Sequence, residues 1–194
     1  MFDILPFMTF VMVGAFTPGP NNCMALSHAG SQGLRSGFMF STGVFLGMLI
    51  IMLACGLFSG YVVRNLRHAE QVMRYIGAGY MFWLAWSLWN AAAFRTEAPR
   101  GRGRLLLLGC TLQLINAKLM VYGLTAYSVF ILPVYTSRPA LVLFAALLAL
   151  VGFLGTIAWA LCGTALEKVF RDHGRLVNRS LAVLVLGCAI SMLV

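Results

Sequence analysis

Long apolar stretches alternate along this chain with short polar segments that carry most of its charge. Three apolar stretches contain no charged residue and reach the ~20 residues that a helix needs to cross a bilayer: Gly37 to Val63, Tyr75 to Phe94 and Ala140 to Leu166. Three more begin near Ile4, at Leu105 and near Leu176. The pattern predicts an all-α integral membrane protein with six transmembrane helices, roughly Ile4 to Ala29, Gly37 to Val63, Tyr75 to Phe94, Leu105 to Pro133, Ala140 to Leu166 and Leu176 to Val194.

Composition supports this prediction and assigns the whole chain to one domain. Of the 194 residues, 61% are hydrophobic and only 10% are charged, which is far from the balance of a soluble protein. We expect residues 1–194 to form a single domain embedded in the lipid bilayer. The apolar N-terminal stretch has no basic segment ahead of it, so we expect no cleaved signal peptide.

The formal net charge of +9 comes from basic residues in the predicted loops, where the positive-inside rule explains them without nucleic-acid binding. Six crossings would place four basic residues on one side, namely Arg64, Arg67, Arg74 and Arg138. They would place nine on the other, namely Arg35, Arg95, Arg100, Arg102, Arg104, Lys168, Arg171, Arg175 and Arg179. The richer side is expected to be cytoplasmic, which puts both termini outside.

The first apolar stretch is interrupted by the segment Thr17-Pro-Gly-Pro-Asn-Asn. Prolines supply no backbone N–H and disfavour helix at the preceding residue, and glycine adds backbone freedom. Inside a bilayer, the freed polar groups need a partner, so broken helices cluster at transport sites. We therefore expect a substrate site here, and the alternative is a proline kink repaired by neighbouring helices. The candidate binding residues are Pro18, Gly19, Pro20, Asn21 and Asn22.

A second irregularity lies in the fourth stretch, where Gln113, Asn116 and Lys118 stand among apolar residues. A lysine at the centre of a transmembrane helix costs about 2.5–3.5 kcal/mol to insert, so it usually faces a cavity or a partner. Tyr122 and Thr125 follow on the same helical face and could offer Lys118 hydroxyl partners. We expect Gln113, Asn116, Lys118 and Tyr122 to bind substrate. The alternative is a structural lysine bonded to helix-end carbonyls.

The two irregularities occupy matching positions in the two halves of the chain, residues 1–94 and 105–194. Halves of three helices each would enter the membrane from opposite sides, as an inverted repeat requires. The spacings Gly43-x-x-x-Gly47 and Gly56-x-x-x-Gly60 in the second stretch predict close helix packing instead of chemistry.

Several kinds of chemistry are excluded by what the predicted helices contain. All carboxylates lie in loops or near helix ends, namely Asp3, Glu70, Glu97, Glu167 and Asp172. A proton relay built on carboxylates inside the membrane is therefore excluded. Burial disfavours the charged form of an amine, so Lys118 is the chief candidate for proton coupling, and His28 is the second. Cysteines and histidines lack metal-ligand spacing, so we expect neither a metal nor another cofactor. Hydrolase and metalloprotease motifs are also missing, which argues against an enzyme.

These motifs resemble the signature of the lysine exporter (LysE/RhtB) superfamily over essentially the whole chain. The segment Gln113-Leu-Ile-Asn-Ala-Lys-Leu-Met-Val-Tyr-Gly-Leu-Thr-Ala, with Phe130-Ile-Leu-Pro133 and Trp159-Ala-Leu-Cys-Gly163, is similar to the branch that exports cysteine and O-acetylserine. Much of the superfamily reads Asn-Pro-Lys where this chain has Asn116-Ala117-Lys118, so a break there is less strongly predicted.

The resemblance implies an exporter of small neutral amino acids in the bacterial inner membrane, working by proton antiport. It implies a small amino acid as the binding partner and leaves a homo-oligomer open. A structural or partner-binding membrane protein that transports nothing is the alternative, because the glycine spacings would suit it equally well.

Overall fold

The computed structural model describes residues 3–90 and 101–193, and in these ranges every regular element is helical. In chain order the elements are α1 (Ile4–Phe16), α2 (Pro20–Gln32), α3 (Leu34–Asn90), α4 (Arg102–Leu114), α5 (Ala117–Thr125), a π-helical segment (Ala126–Ile131), α6 (Arg138–Ala165) and α7 (Glu167–Leu193). The all-α prediction is confirmed for this part of the chain.

Two described helices are long and apolar enough to cross a membrane, Leu34–Phe58 within α3 and Arg138–Ala165. A third crossing results if the bent pair Gly103–Leu114 and Lys118–Ile131 is one span, with an angle of 61° between its halves. Helix α1 is apolar but shorter. The chain is therefore a membrane protein, while the count of six spans and the inverted repeat stay predictions.

Both predicted interruptions are present. The first stretch divides at Thr17 to Gly19 into α1 and α2, and the fourth divides at Ile115 and Asn116 into α4 and α5. The fourth stretch is thus broken although position 117 is alanine and not the proline that much of the resembled superfamily has there. Its length, which exceeds what one bilayer crossing needs, is accommodated by the 61° bend.

Three predicted loops are wrong. The predicted loop from Arg64 to Arg74 is helical within α3, because no glycine or proline interrupts the chain there and its residues are good helix formers. The predicted loop from Glu167 to Arg175 is also helical, with a kink at His173. The sequence also predicts a turn from Ser27 to Ser36, but in the structure only Gly33 separates α2 from α3. Its φ of 85° suits glycine.

The loop predicted from Arg95 to Arg104 lies mostly outside the described residues, and α4 begins at Arg102. The connection before Arg138 is confirmed, since helical structure ends near Ile131 and resumes at Arg138.

Close packing by the first glycine pair is confirmed where α3 crosses α4. A Cβ at Gly47 would lie 2.5 Å from the Cys110 carbonyl oxygen, and a Cβ at Gly43 would collide with the Leu106 carbonyl. From the other helix, a Cβ at Gly109 would lie 2.9 Å from the Val44 nitrogen. Gly56 instead lies against the Tyr127 ring. The absence of side chains at these glycines therefore allows the backbones of α3 and α4 to approach each other this closely.

Helix α3 is the central element, since it contacts α2, α4, α5, α6 and α7, while α6 also contacts α1 and α2. The main core is centred on Met52 and Tyr127, whose hydroxyl donates to the Leu141 carbonyl at 2.8 Å. This packing brings the ends of α1, α2, α4 and α5 together beside α3 and α6.

The third predicted helix ends with Trp83, Trp86, Trp89 and Phe94, which predicts an aromatic belt at a membrane interface. Trp83, Trp86 and Trp89 are all more than one-third exposed, and the Arg179 guanidinium lies 5.2 Å from the ring centroid of Trp89. Phe94, the last member of the predicted belt, lies outside the described residues. An exposed tryptophan face with a cation beside it suits the headgroup region of a bilayer.

Candidate functional site

The first break leaves helix-end carbonyls that side chains from elsewhere satisfy. In a continuous helix the Phe16 carbonyl would accept from the residue at position 20, but Pro20 has no N–H. The Trp159 indole of α6 donates to this carbonyl instead, at 3.1 Å. Thr17, in extended conformation, ends α1, and its hydroxyl donates back to the Val13 carbonyl.

Asn22 closes the break from the α2 side. Its amide nitrogen donates to the Ala15 carbonyl at 3.0 Å and to the Thr17 carbonyl at 2.9 Å, and the side chain is only 4% exposed. The Lys118 ammonium, 101 residues away in sequence, donates to the same Thr17 carbonyl at 3.4 Å. Both residues therefore hold the end of α1, and one of them reaches it from the second broken helix.

The second break is stabilised by Asn116, which caps α5. Its side-chain oxygen accepts from the Leu119 backbone N–H at 3.2 Å, which is the usual role of asparagine at a helix N-terminus. The Asn116 backbone is extended, so the helix cannot continue from α4 into α5. A good N-cap thus accounts for a break at a position where this chain has alanine in place of proline.

An amide network joins the two breaks. Asn21 and Gln113 exchange hydrogen bonds of 2.8 Å and 3.1 Å, and Gln113 also donates to the Gly109 carbonyl at 2.8 Å. The Asn116 amide completes the network with a longer bond of 3.4 Å to the Gln113 oxygen. Because Gln113 is fully buried, this pairing satisfies polar groups that would otherwise be costly.

A partly open cleft lies where these elements meet. One side is polar and consists of the N-terminal residues of α2 and α5 with their caps: Gly19, Pro20, Asn21, Asn22, Asn116 and Lys118. The other side comes mainly from α3, α5 and α6: Val44, Met48, Leu119, Tyr122, Gly152 and Thr156. Gly14 and Ala15 of α1 complete the lining.

The polar side of the cleft is electropositive. The first amides of a helix have no partner within the helix, and the N-terminus carries the positive end of the helix dipole. Two such N-termini and the Lys118 ammonium line one cleft, and no carboxylate is among the lining residues. The arrangement suits a small anionic group such as a carboxylate.

Most of the predicted binding residues come together in this cleft, and three candidates do not line it. Pro18 lies next to it in the break, and Gln113 lies behind Asn21 as its hydrogen-bond partner. His28 is buried farther along α2, where its ring centroid lies 5.3 Å from that of Phe40. The proline-rich break and the segment around Lys118 are therefore neighbours in the fold.

The expected hydrogen bond between Lys118 and the Tyr122 hydroxyl on the same helix is wrong. Tyr122 does line the cleft, but its buried hydroxyl has no hydrogen-bond partner in the part of the chain that the structure describes. Its ring stacks on Phe10 at 5.3 Å. Thr125 is not among the lining residues. The Lys118 ammonium instead donates to the Thr17 carbonyl, which the break leaves open at the end of α1.

The contributions of α3 and α6 were missed. Val44 and Met48 resemble every other apolar residue of a membrane helix, so no sequence signal marks them. Gly152 and Thr156 are small residues one helical turn apart on α6, and this spacing could have pointed to them. Thr156 is 2% exposed and donates to the Phe153 carbonyl at 2.8 Å.

Comparison with known proteins gives one family and a set of close relatives. Residues 12–194 match the family described as LysE type translocator. A Klebsiella pneumoniae protein named cysteine/O-acetylserine efflux protein is 38% identical over 98% of this chain and 97% of its own length. Proteins of the same name from Salmonella typhimurium and Escherichia coli are 37% and 35% identical, each over 95% of this chain and 94% of their own length. No solved structure matches.

Proposed function

The chain belongs to the LysE type translocator family, and from that membership we propose that it exports small neutral amino acids such as cysteine and O-acetylserine. Relatives that carry this activity in their names align with nearly the full length of the chain. Membership also makes it a transporter and not an enzyme.

The observation that carries the proposal is the electropositive side of the cleft. An amino acid has a carboxylate, and the two helix N-termini with Lys118 offer that group a cation and the positive ends of two helix dipoles in one place. Transporters with broken helices use half-helix N-termini in this way. Lys118 accordingly binds the substrate carboxylate while it is protonated.

The substrate ammonium requires uncharged oxygen acceptors on the same cleft. The Asn21 and Asn116 oxygens already accept from Gln113 and from the Leu119 amide. Asn22 uses its nitrogen in its two bonds to α1, and Thr156 uses its proton in the bond to Phe153. The oxygens of Asn22 and Thr156 are thus the acceptors that we assign to the ammonium.

Coupling to protons is assigned to Lys118. Among the lining residues only Lys118 and Tyr122 can titrate, and a tyrosine hydroxyl titrates far above physiological pH. Release of the Lys118 proton would remove the charge that holds the carboxylate, so substrate binding would depend on the protonation state of Lys118. The distribution of basic residues supports the bacterial inner membrane, with both termini outside.

A substrate panel in inside-out vesicles tests the proposal. Vesicles that contain the protein should accumulate labelled cysteine and O-acetylserine when their interior is acidic, and should accumulate far less without the pH gradient. Vesicles without the protein are the control. Failure to move any amino acid under either condition would favour the structural or partner-binding alternative. Accumulation that does not depend on the pH gradient would support export and rule out proton antiport.

A further inference from the structure

The cleft has two unlike sides, and this difference orients any amino acid that enters it. The charged ends of the substrate belong with Lys118, Asn22, Thr156 and the helix N-termini. Its side chain is then left to the apolar lining residues Val44, Met48 and Leu119. An uncharged side chain is favoured there, because a charged group facing these residues would lose hydration without gaining a partner.

Met48 and Gly152 pack against each other on this apolar side. A Cβ at Gly152 would collide with the Met48 sulfur and would lie 2.7 Å from its terminal methyl carbon. Met48 is 5% exposed, so its position is determined by its neighbours. The absence of a side chain at Gly152 therefore lets Met48 lie back against α6, and the space in front of Met48 stays part of the cleft.

From this packing we propose that α3 and α6 form the subsite for the substrate side chain, and that Met48 sets the longest side chain that the cleft accepts. The inference rests on the proposed function, since it deepens the same site from a general amino-acid site to one limited by size. Short uncharged side chains fit in front of Met48. Longer ones collide with it, because α6 leaves it no further room to retreat.

Competition binding measures this limit directly. The purified full-length protein in lipid nanodiscs binds labelled cysteine, and serine esters of increasing acyl length compete with it: O-acetylserine, O-propionylserine and O-butyrylserine. For Met48→Ala we expect the affinity for O-butyrylserine relative to cysteine to rise at least about tenfold, the effect of about one methylene in an apolar pocket. For Gly152→Ala we expect the opposite, a fall for O-acetylserine relative to cysteine, since the new methyl group pushes Met48 into the cleft.

Two further variants separate size from other effects. Met48→Leu conserves volume and should keep the wild-type order of affinities, which a specific role of the sulfur would change. Leu46→Ala removes an exposed side chain of the same helix and should change nothing.

The outcomes distinguish the subsite from the proposed function. Wild-type protein that binds neither cysteine nor O-acetylserine would overturn the proposed function and the subsite with it. Wild-type binding with unchanged affinity ratios in both Met48→Ala and Gly152→Ala would overturn the subsite alone. Should Met48→Ala fail to fold, Gly152→Ala and Met48→Leu still decide the matter, because their predicted ratios differ.

Discussion

At the scale of single residues, Lys118 has two roles that must be separated. Its contact with the Thr17 carbonyl is what a structural lysine would make, and its position on the cleft is what substrate binding would require. Gly19 gives the ammonium room, since a Cβ there would lie 3.2 Å from it. A lysine that only fastened the end of α1 could be replaced by another cation, whereas one that releases a proton could not.

Replacing Lys118 distinguishes these roles. Lys118→Ala should weaken substrate binding about 10- to 100-fold, because hydrogen bonds to charged groups are worth about 1.5–3 kcal/mol. Lys118→Arg should retain binding and exchange between loaded vesicles but lose pH-driven accumulation, since guanidinium stays protonated. The measurements are competition binding, substrate exchange and gradient-driven uptake on the same preparations.

A matched control comes from Lys168, an exposed lysine that does not line the cleft. Lys168→Ala and Lys168→Arg should transport like the wild type. Wild-type uptake by either Lys118 variant would remove Lys118 from the mechanism, and His28 would be the next residue to test.

At the scale of helices, the break between α1 and α2 persists for two reasons. The chain lacks a backbone N–H at Pro20, and side chains from elsewhere donate to the carbonyls left open. Pro20 supplies no N–H to the Phe16 carbonyl, and Trp159 replaces it from α6. Asn22 serves the Ala15 and Thr17 carbonyls in the same manner. Donors from α6 would repair a proline kink in the same way, so transport by a variant without the prolines has to separate a substrate site from a kink.

Combined Pro18→Ala and Pro20→Ala substitutions restore both N–H groups and should let α1 extend toward α2. The extension would displace Trp159 and Asn22 from their acceptors and shift Gly19 out of the cleft. We expect normal membrane insertion with a clear loss of transport, measured by uptake per inserted protein. Pro139→Ala, at the start of α6, is the control and should transport normally. Undiminished uptake by the double variant would favour the kink.

The crossing of α3 over α4 makes a second prediction at this scale. Gly109→Ala adds a methyl group that meets the Phe40 carbonyl, so the helices must separate, at a cost of about 1–3 kcal/mol. The midpoint of thermal unfolding in detergent should fall by about 2–4 °C per kcal/mol. Gly79→Ala on α3 has open space around its new Cβ and should be neutral or slightly stabilising. An equal effect of the two substitutions would contradict glycine-dependent packing.

The sequence predicts the breaks and their polar residues better than it predicts the helix ends or the apolar side of the cleft. Proline, glycine and a lone lysine have local consequences, so Pro18, Pro20 and Lys118 could be found without a structure. The loop expected from Arg64 to Arg74 was inferred from charge alone, and charge does not end a helix. Met48 could not be found, because its role depends on the packing of α3 against α6.

At the scale of the whole molecule, the length of α3 conflicts with a single bilayer crossing. Its 57 residues span about 85 Å at ~1.5 Å per residue, against a hydrocarbon core of ~30 Å. One crossing by Leu34–Phe58 would leave the exposed tryptophans Trp83, Trp86 and Trp89 in water. The apolar surface of α3 therefore extends well beyond the span Leu34–Phe58, and labelling at positions beyond that span shows which parts of the helix cross the membrane.

Cysteine labelling in intact cells tests the orientation and the path of α3 through the membrane together. In a background without the five native cysteines, cysteines placed at Leu66 and Ser137 should react with a membrane-impermeant maleimide. Cysteines at Arg102 and Arg171 should react only after the cells are opened, because the side with more basic residues faces the cytoplasm. The reversed pattern would invert the topology. Equal accessibility at Leu66 and Arg102 would place both residues on one side of the membrane, which an inverted repeat of three helices does not allow.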